Sequence, residues 1–318
     1  MQRSSRLSEA EAGLLSRRLG PGIFERRVER EDLSFVLKAR RDKGMASLVG
    51  GKNSFIARCL RATGLSRLAF HSYLDVRTVE NVVPLPGLPP AFEGFRLLQI
   101  SDLHCDLEPR LMRIINSRLA RLGYDAVVLT GDYHDRPGRN EALSLELMQK
   151  LVKGLRGPRF GVLGNHDHLH RVPALESFGL PLLLNESAAI ERDGERIWIC
   201  GVDDPRFFQT HDLVRAREAV VGGEISILLA HSPEVAAEAA ALGYSLMLCG
   251  HTHGGQLCLP GGFAVLRNAP VARRFLLGPW AEGALQGYTS PGTGACGVPA
   301  RLFCPPEITI HRLVRRMG

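Results

Sequence analysis

Seven residues of this chain offer oxygen or nitrogen donors from short polar breaks: Asp102 and His104 in SDLHCD, Asp132 in GDYHDR, Asn165 in GNHDH, His231 in HSP, and His251 and His253 in GHTHGGQ. Each donor is hard or borderline and none is a thiolate, which favours five- or six-coordinate Mn, Fe, Zn or Mg over a structural zinc. The stretch GNHDHLH at 164–170 adds His166, His168 and His170 at alternate positions. Alternate residues share a face only in a strand, whereas Gly164 and Asn165 read as a strand-to-loop turn. Taken alone, the stretch leaves three readings open: a metal site of its own, an exposed polar run, or a fragment of a larger site.

The elements that must position these residues follow from the runs before each break. FRLLQI, DAVVLT, RFGVL, RIWICGV, ISILLA and YSLMLC are short and apolar, as in strands buried on both faces. LMRIINSRLARLG and EALSLELMQKLVKGL between them have helical periodicity. This is an α/β chain. In such sheets ligands bind beyond the carboxyl ends of strands, so polar breaks meeting at one sheet edge would bring all seven donors together. Asp203 and Asp204 end a further strand and would support the site without ligating.

At 318 residues and 45% hydrophobic, the composition is globular and fits one large domain with an extension, or two modest ones. Seven cysteines, scattered and without a C-x-x-C pair, argue against a disulfide framework and against a thiolate zinc site. Cys105, beside His104, reads as a small side chain more than a redox-sensitive one. No run reaches the ~18 apolar residues of a membrane span, and the N-terminus lacks the apolar core of a signal peptide. Arg17 and Arg18 form a twin arginine, but Pro21 and charged residues follow. A cytoplasmic protein in a reducing setting is expected.

The charge is uneven. Residues 1–74 hold 15 Lys and Arg against 7 Asp and Glu, a net +8, leaving −1 for residues 75–318. LSEAEAGLLSRRL, with Ser8 placed to cap it, and NSFIARCLRATGLSRLAFHSYL read as helices. The second is basic and amphipathic: Phe55, Ile56, Leu60, Leu65, Leu68 and Phe70 would enter an anionic bilayer surface under Arg58, Arg61 and Arg67, or the same face would pack on the catalytic domain. NVVPLPGLPPAFEGF at 81–95, with four prolines, reads as a strand entering a loop. The boundary is expected near residue 75, separating a basic, mainly helical extension at 1–74 from a catalytic domain at 75–318.

The ordered set D-x-H, G-D-x-x-D, G-N-H-D, a lone His, and G-H-x-H resembles the calcineurin-like metallophosphoesterase superfamily over roughly residues 75–318. The resemblance implies a β-sandwich flanked by helices and two divalent ions, Mn first among Mn, Fe, Zn and Mg. It places one ion on Asp102, His104 and His253, the other on Asn165, His231 and His251, and the Asp132 carboxylate between them. Such paired ions hold a bridging hydroxide and the phosphate oxygens of an in-line displacement. His166 resembles the histidine that stabilises the transition state or protonates the leaving oxygen, and Asp135 the carboxylate that orients it. Arg136 resembles a phosphate-contacting arginine. Asp167 is expected to fix its loop, and His168 and His170 to lie outside the coordination sphere. Gly254, Gly255 and Gln256 would form a tight turn or let substrate approach the main chain.

GHTHGGQ and the tail PPEI look most like the bacterial branch that includes phosphodiesterases and the UDP-diacylglucosamine pyrophosphate hydrolases of lipid A synthesis. The expectation is a phosphodiesterase or pyrophosphatase, peripheral to the inner face of the membrane, acting on a phosphoester that is lipid-linked. A metal-dependent nuclease would use the same donors, but the near-neutral charge of residues 75–318 argues against nucleic acid as a partner. A noncatalytic membrane-bound scaffold would be expected to have lost a donor, and all seven are present.

Overall fold

The computed structural model describes residues 7–41, 55–135, 140–264 and 269–316, with side chains except at 34–41. Helices α1 (Glu9–Leu19), α2 (Pro21–Arg41), α3 (Phe55–Ala62) and α4 (Ser66–Leu74) come first. There follow β1 (Arg77–Leu85), β2 (Arg96–Ile100), α5 (Pro109–Leu119), β3 (Ala126–Leu129), α6 (Glu141–Gly154), β4 (Arg159–Gly161) and α7 (Val172–Ser177). The second half holds β5 (Glu186–Arg192), β6 (Glu195–Gly201), α8 (Leu213–Ala216), β7 (Ser226–Leu229), α9 (Ala236–Ala241) and β8 (Leu246–Cys249). It closes with β9 (Cys258–Leu259), β10 (Phe263–Ala264), β11 (Gly278–Glu282), β12 (Leu285–Thr289) and β13 (Glu307–Arg315).

One sheet runs β1-β13-β2-β3-β4 and the other β11-β12-β8-β7-β6-β5, while β9 and β10 form a separate hairpin. The central strands explain why the apolar runs are unbroken. Leu97, Ala126 and Val128 face inward and meet Ile227, Leu229, Leu246 and Leu248 of the facing sheet. Their neighbours Leu98, Val127 and Leu129 face outward against Met112 and Ile115 of α5 and Met148 and Leu151 of α6. On the far side, Leu228 and Met247 pack on Leu213, Ala236 and Ala239 of α8 and α9. Each strand is thus buried on both faces, and the layers are helix, sheet, sheet, helix.

Strands β2, β3 and β4 are mutually parallel, as are β6, β7 and β8. Their carboxyl ends therefore open on one edge of the sandwich. Gln99 crosses between the sheets just below that edge: its amide donates to Cys249 O at 3.0 Å and Thr130 Oγ1 at 3.1 Å, and its carbonyl meets His311 Nε2 at 2.9 Å. A buried amide with partners on both sides ties the strands that deliver the two halves of the site.

The N-terminal helices are built onto this core. Ser8 caps α1 in a capping box, with Ser8 N donating to Glu11 Oε2 at 2.8 Å and Glu11 N to Ser8 Oγ at 3.3 Å. Leu15 and Leu19 of α1 are buried in the layer that holds Tyr73 and Leu98, each contributing about 2 kcal/mol. The amphipathic stretch after residue 54 is two helices and not one, because Gly64 turns the chain at φ +72°. Leu60 and Ala69 then pack on Ala300 and Leu302, and Ala69 O accepts from Arg301 N at 2.9 Å. Packing on the catalytic core thus accounts for one face of α3 and α4, while Phe55, Leu65 and Leu68 remain exposed.

Candidate metal centre

The strand ends deliver every one of the seven donors to the same edge. Asp102 and His104 follow β2, Asp132 follows β3, Asn165 follows β4, His231 follows β7, and His251 and His253 follow β8. Main-chain bonds stitch the ends together: Asp102 N to Gly131 O and His104 N to Asp132 O, both at 3.0 Å, and Gly250 N to His231 O at 2.9 Å. Two clusters result, Asp102 with His104 and His253, and Asp132 with His231 and His251, each with its donor atoms within 4.8 Å of one another. Asp132 Oδ2 stands between them, 3.6 Å from His104 Nε2 and 3.3 Å from His231 Nε2. Asn165 Oδ1 lies 3.1 Å from His231 Nε2, and His253 Nε2 lies 3.5 Å from Asp102 Oδ1.

This convergence is held by an uncommon backbone. Asp102, His104, Asp132, His251 and His253 all have positive φ, between 39° and 68°. Left-handed conformations cost non-glycine residues about 1–3 kcal/mol each and persist where their surroundings impose them. Both neighbouring loops also require glycine. A Cβ on Gly164 would collide with the Asp132 carboxylate and come within 2.6 Å of Asp132 N, and one on Gly250 would strike Ser101 Oγ and Asp102 Oδ2.

Electrostatically the cluster suits cations. Burial would raise the Asp132 carboxyl, but His231, His166 and His104 outweigh it and hold it well below the usual carboxylate range. His231 is pulled down by burial and up by Asp132, and the carboxylate wins, leaving the ring well above its ordinary value. Burial pushes Asp102 up, with Asp132 adding repulsion. His253 is held well below its ordinary value by burial and then by the Arg301 guanidinium. His104 Nε2 is fully buried with no hydrogen-bond partner among the described residues. A buried ring nitrogen facing carboxylate oxygen, inside a set of imidazoles and carboxylates without hydrogen bonds to satisfy them all, fits divalent ions.

Next to the clusters lies His166. Its main-chain N donates to Asp132 Oδ1 at 2.8 Å, its Nε2 is 4.0 Å from Asp132 Oδ2, and its Nδ1 meets the main-chain carbonyl of Asp135. The Asp135 carboxylate accepts from Gly297 N at 2.9 Å and lies 3.8 Å from His104 Nδ1. Asp135 therefore touches His166 through its carbonyl as well as standing beside the site. Arg136 falls outside the described residues.

Asp167 does fix the loop. Its carboxylate accepts from Asp132 N at 2.7 Å, Gly164 N at 3.0 Å and Tyr133 N at 3.1 Å. His168 stands 4.0 Å from Glu31 and edge-on to Phe208, and His170 stands 3.7 Å from Glu141. The Cys105 thiol is buried against Ser144 and pushed up to about 12 by burial, which makes it inert. The residues at 254–256 form a tight turn, with φ of 57°, 89° and 56°.

Sequence reasoning missed four supports. Ser101 Oγ donates to Asp102 Oδ2 at 2.5 Å. Arg301, fully buried, bonds His253 O at 2.8 Å and lies 3.2 Å from His253 Nδ1. Cys296 Sγ is 3.9 Å from His166 Nε2. Arg27 of α2, fully buried, sends a bond of 2.8 Å to Asp167 O and approaches Asp203 Oδ2 to 2.9 Å outside hydrogen-bond alignment. Ser101 opens the SDLHCD motif, and Cys296 and Arg301 fall within the stretch at 75–318 that resembles the family, whereas nothing local marks Arg27 among its neighbouring arginines.

The family model for calcineurin-like phosphoesterases matches residues 95–255, the span from β2 to the His253 turn. The chain belongs to that family. It is a metal-dependent phosphoester hydrolase, as the fold and the donor clusters expected of such enzymes bear out. Similar proteins include the uncharacterized metallophosphoesterase YkuE of Bacillus subtilis, 29% identical over 75% of this chain and 85% of that one. The phosphodiesterase YaeI of Escherichia coli is 30% identical over 69% of this chain and 82% of its own length. A transmembrane protein with a metallophosphoesterase domain from Danio rerio is 32% identical over 73% of this chain and 56% of its own. Among the described residues of this phosphoesterase, no helix is long and apolar enough to cross a membrane.

Proposed function

We propose that this phosphoesterase is a binuclear phosphodiester or pyrophosphate hydrolase. Asp102, His104 and His253 would hold one divalent ion and Asn165, His231 and His251 the other, with Asp132 shared between the two sets. The observation that carries the reading is the position of Asp132 Oδ2, within 3.6 Å of a histidine from each cluster. The ions, with Mn the first expectation, supply Lewis acidity and a nucleophile at neutral pH when bound. The chain supplies the rest. His166 is held by Asp135 O at Nδ1, which aims Nε2 at the space beside Asp132, where it donates a proton to the leaving oxygen. Burial of His104, Asp102 and His231 strengthens these charge contacts.

Residues 1–74 are read as a basic extension and residues 75–318 as the catalytic domain. A basic, partly apolar face beside such a site suits an amphiphile, so the natural substrate is read as a lipid-linked phosphoester or pyrophosphate presented at the inner membrane surface. UDP-diacylglucosamine is the test case. The relative YaeI, named a phosphodiesterase, supports the diester class.

The test is Mn-dependent hydrolysis of bis-p-nitrophenyl phosphate, p-nitrophenyl phosphate and UDP-diacylglucosamine, with metal content measured in parallel. Asp132→Asn and His166→Asn should both abolish turnover, and only Asp132→Asn should also lower bound metal. Full activity in Asp132→Asn would remove the bridging assignment. Cleavage of the small diester but not the nucleotide lipid would keep the hydrolase and remove the lipid substrate.

A further inference from the structure

Seven of the thirteen large apolar side chains exposed among the described residues fall in three short segments: the α3–α4 pair, the stretch from β9 to Leu277, and the turn at Phe303. These segments are joined in space. Leu60 and Ala69 pack on Ala300 and Leu302, with Ile56 and Leu257 against them. Cys258 N donates to Leu302 O at 2.9 Å, and Leu259 pairs with Phe263 across the β9–β10 hairpin. Phe55, Leu68, Leu259, Phe263 and Phe303 are each about half exposed, at 52, 53, 53, 47 and 50%. Scattered exposed apolar residues need no explanation, but a joined set does.

The charge carried by these segments themselves has one sign. Residues 55–74, 256–277 and 296–304 contain no Asp or Glu. Arg58, Arg61 and Arg67 are exposed on α3 and α4, and Arg273 lies with its guanidinium 3.9 Å from the Phe263 ring centroid. Arg274 pairs with Glu282 of β11, and the Asp135 carboxylate accepts from Gly297 N on the side of the metal centre. Apolar side chains rimmed by arginine and free of carboxylates within their own segments match the boundary of an anionic bilayer, where the apolar groups enter the acyl region and the guanidinium groups meet phosphates.

The surface also adjoins the metal centre. Leu259 is six residues past His253, and Cys258 Sγ bonds Gly254 O at 3.2 Å. Phe303 stands between Arg301, which bonds His253 O, and Cys304, whose thiol bonds the same carbonyl at 3.3 Å. We propose that the α3–α4 pair, the β9–β10 hairpin and Phe303 form one docking face that seats this phosphoesterase on an anionic bilayer with its metal centre beside the lipid surface. The face itself rests on the surface alone; its use in substrate entry rests on the lipid-linked reading above.

The experiment is sedimentation of the full chain with vesicles of phosphatidylcholine alone and of phosphatidylcholine with phosphatidylglycerol, at low and high salt. The expected result is binding to the anionic vesicles that weakens with salt. Arg58→Gln/Arg61→Gln should weaken it about thirtyfold, and Phe263→Ser/Phe303→Ser should weaken it at least as much. Both variants should keep wild-type hydrolysis of bis-p-nitrophenyl phosphate and the wild-type thermal midpoint. Absence of binding to anionic vesicles, or wild-type binding by both folded variants, would overturn the docking face. So would analytical ultracentrifugation showing a dimer that Phe263→Ser/Phe303→Ser dissociates, since the face would then belong to a second copy. A wild-type protein that binds vesicles but hydrolyses no phosphoester would count against the catalytic reading and leave the face standing.

Discussion

Replacing Arg27 by alanine should damage the site from below. Arg27 and Asp203 are both 0% exposed, and their closest atoms stand 2.9 Å apart. Removing one member of a buried pair strands the other charge and costs about 3–5 kcal/mol. The guanidinium also lies 3.4 Å from the Phe208 ring centroid, a stack worth about 1–2 kcal/mol when desolvated. Because the Arg27–Asp203 contact is poorly aligned as a hydrogen bond, we take the low end of the first range and expect a loss of about 4 kcal/mol in all. Urea unfolding of metal-free protein measures it. The loss should reach the metal centre too, because Arg27 bonds Asp167 O while the Asp167 carboxylate bonds Asp132 N. The Mn concentration for half-maximal activity should therefore rise. Arg27→Ala/Asp203→Asn removes the stranded carboxylate and should recover about half of the loss. A cost under about 1 kcal/mol for Arg27→Ala, or strict additivity in the double variant, would refute the reasoning.

Further outcomes follow from the same geometry. Gly164→Ala forces a methyl into the Asp132 carboxylate and should abolish metal binding while the sandwich still folds, as read by metal content and circular dichroism. Removing metal with a chelator should lower the thermal midpoint, since buried Asp102 and Asp132 then repel each other unscreened, and Mn should restore it. His311 is buried and its pKa is pushed down to about 3, so the folded state holds the ring neutral. Its contribution is complete above the ordinary pKa of about 6.5 and is lost as pH falls toward 3, a cost of about 2 kcal/mol at pH 5. Urea midpoints at pH 7.5 and pH 5 should therefore differ less in His311→Gln than in the parent protein, and equal differences would exclude His311 as the source.

Much of this protein is determined by local pattern. The apolar runs before SDLHCD, GDYHDR, GNHDH and GHTHGGQ are strands because both faces of each are buried, and a strand so buried has no polar alternation to hide it. The donors stand where parallel strands end, since that is where a chain leaves the sheet and its polar side chains become free to meet. Tertiary structure alone decided the rest. Asp and His tolerate positive φ better than most residues, but which of them adopt it, here Asp102, His104, Asp132, His251 and His253, is fixed by contacts between loops far apart in the chain. Arg27 reads in sequence as one more charge on a surface helix, yet it is buried beneath the loop that carries Asn165 and His166. The amphipathic stretch after residue 54 matched both packing and membrane docking because a helix face carries no record of its partner; only folding showed Leu60 turned inward and Phe55 and Leu68 turned out.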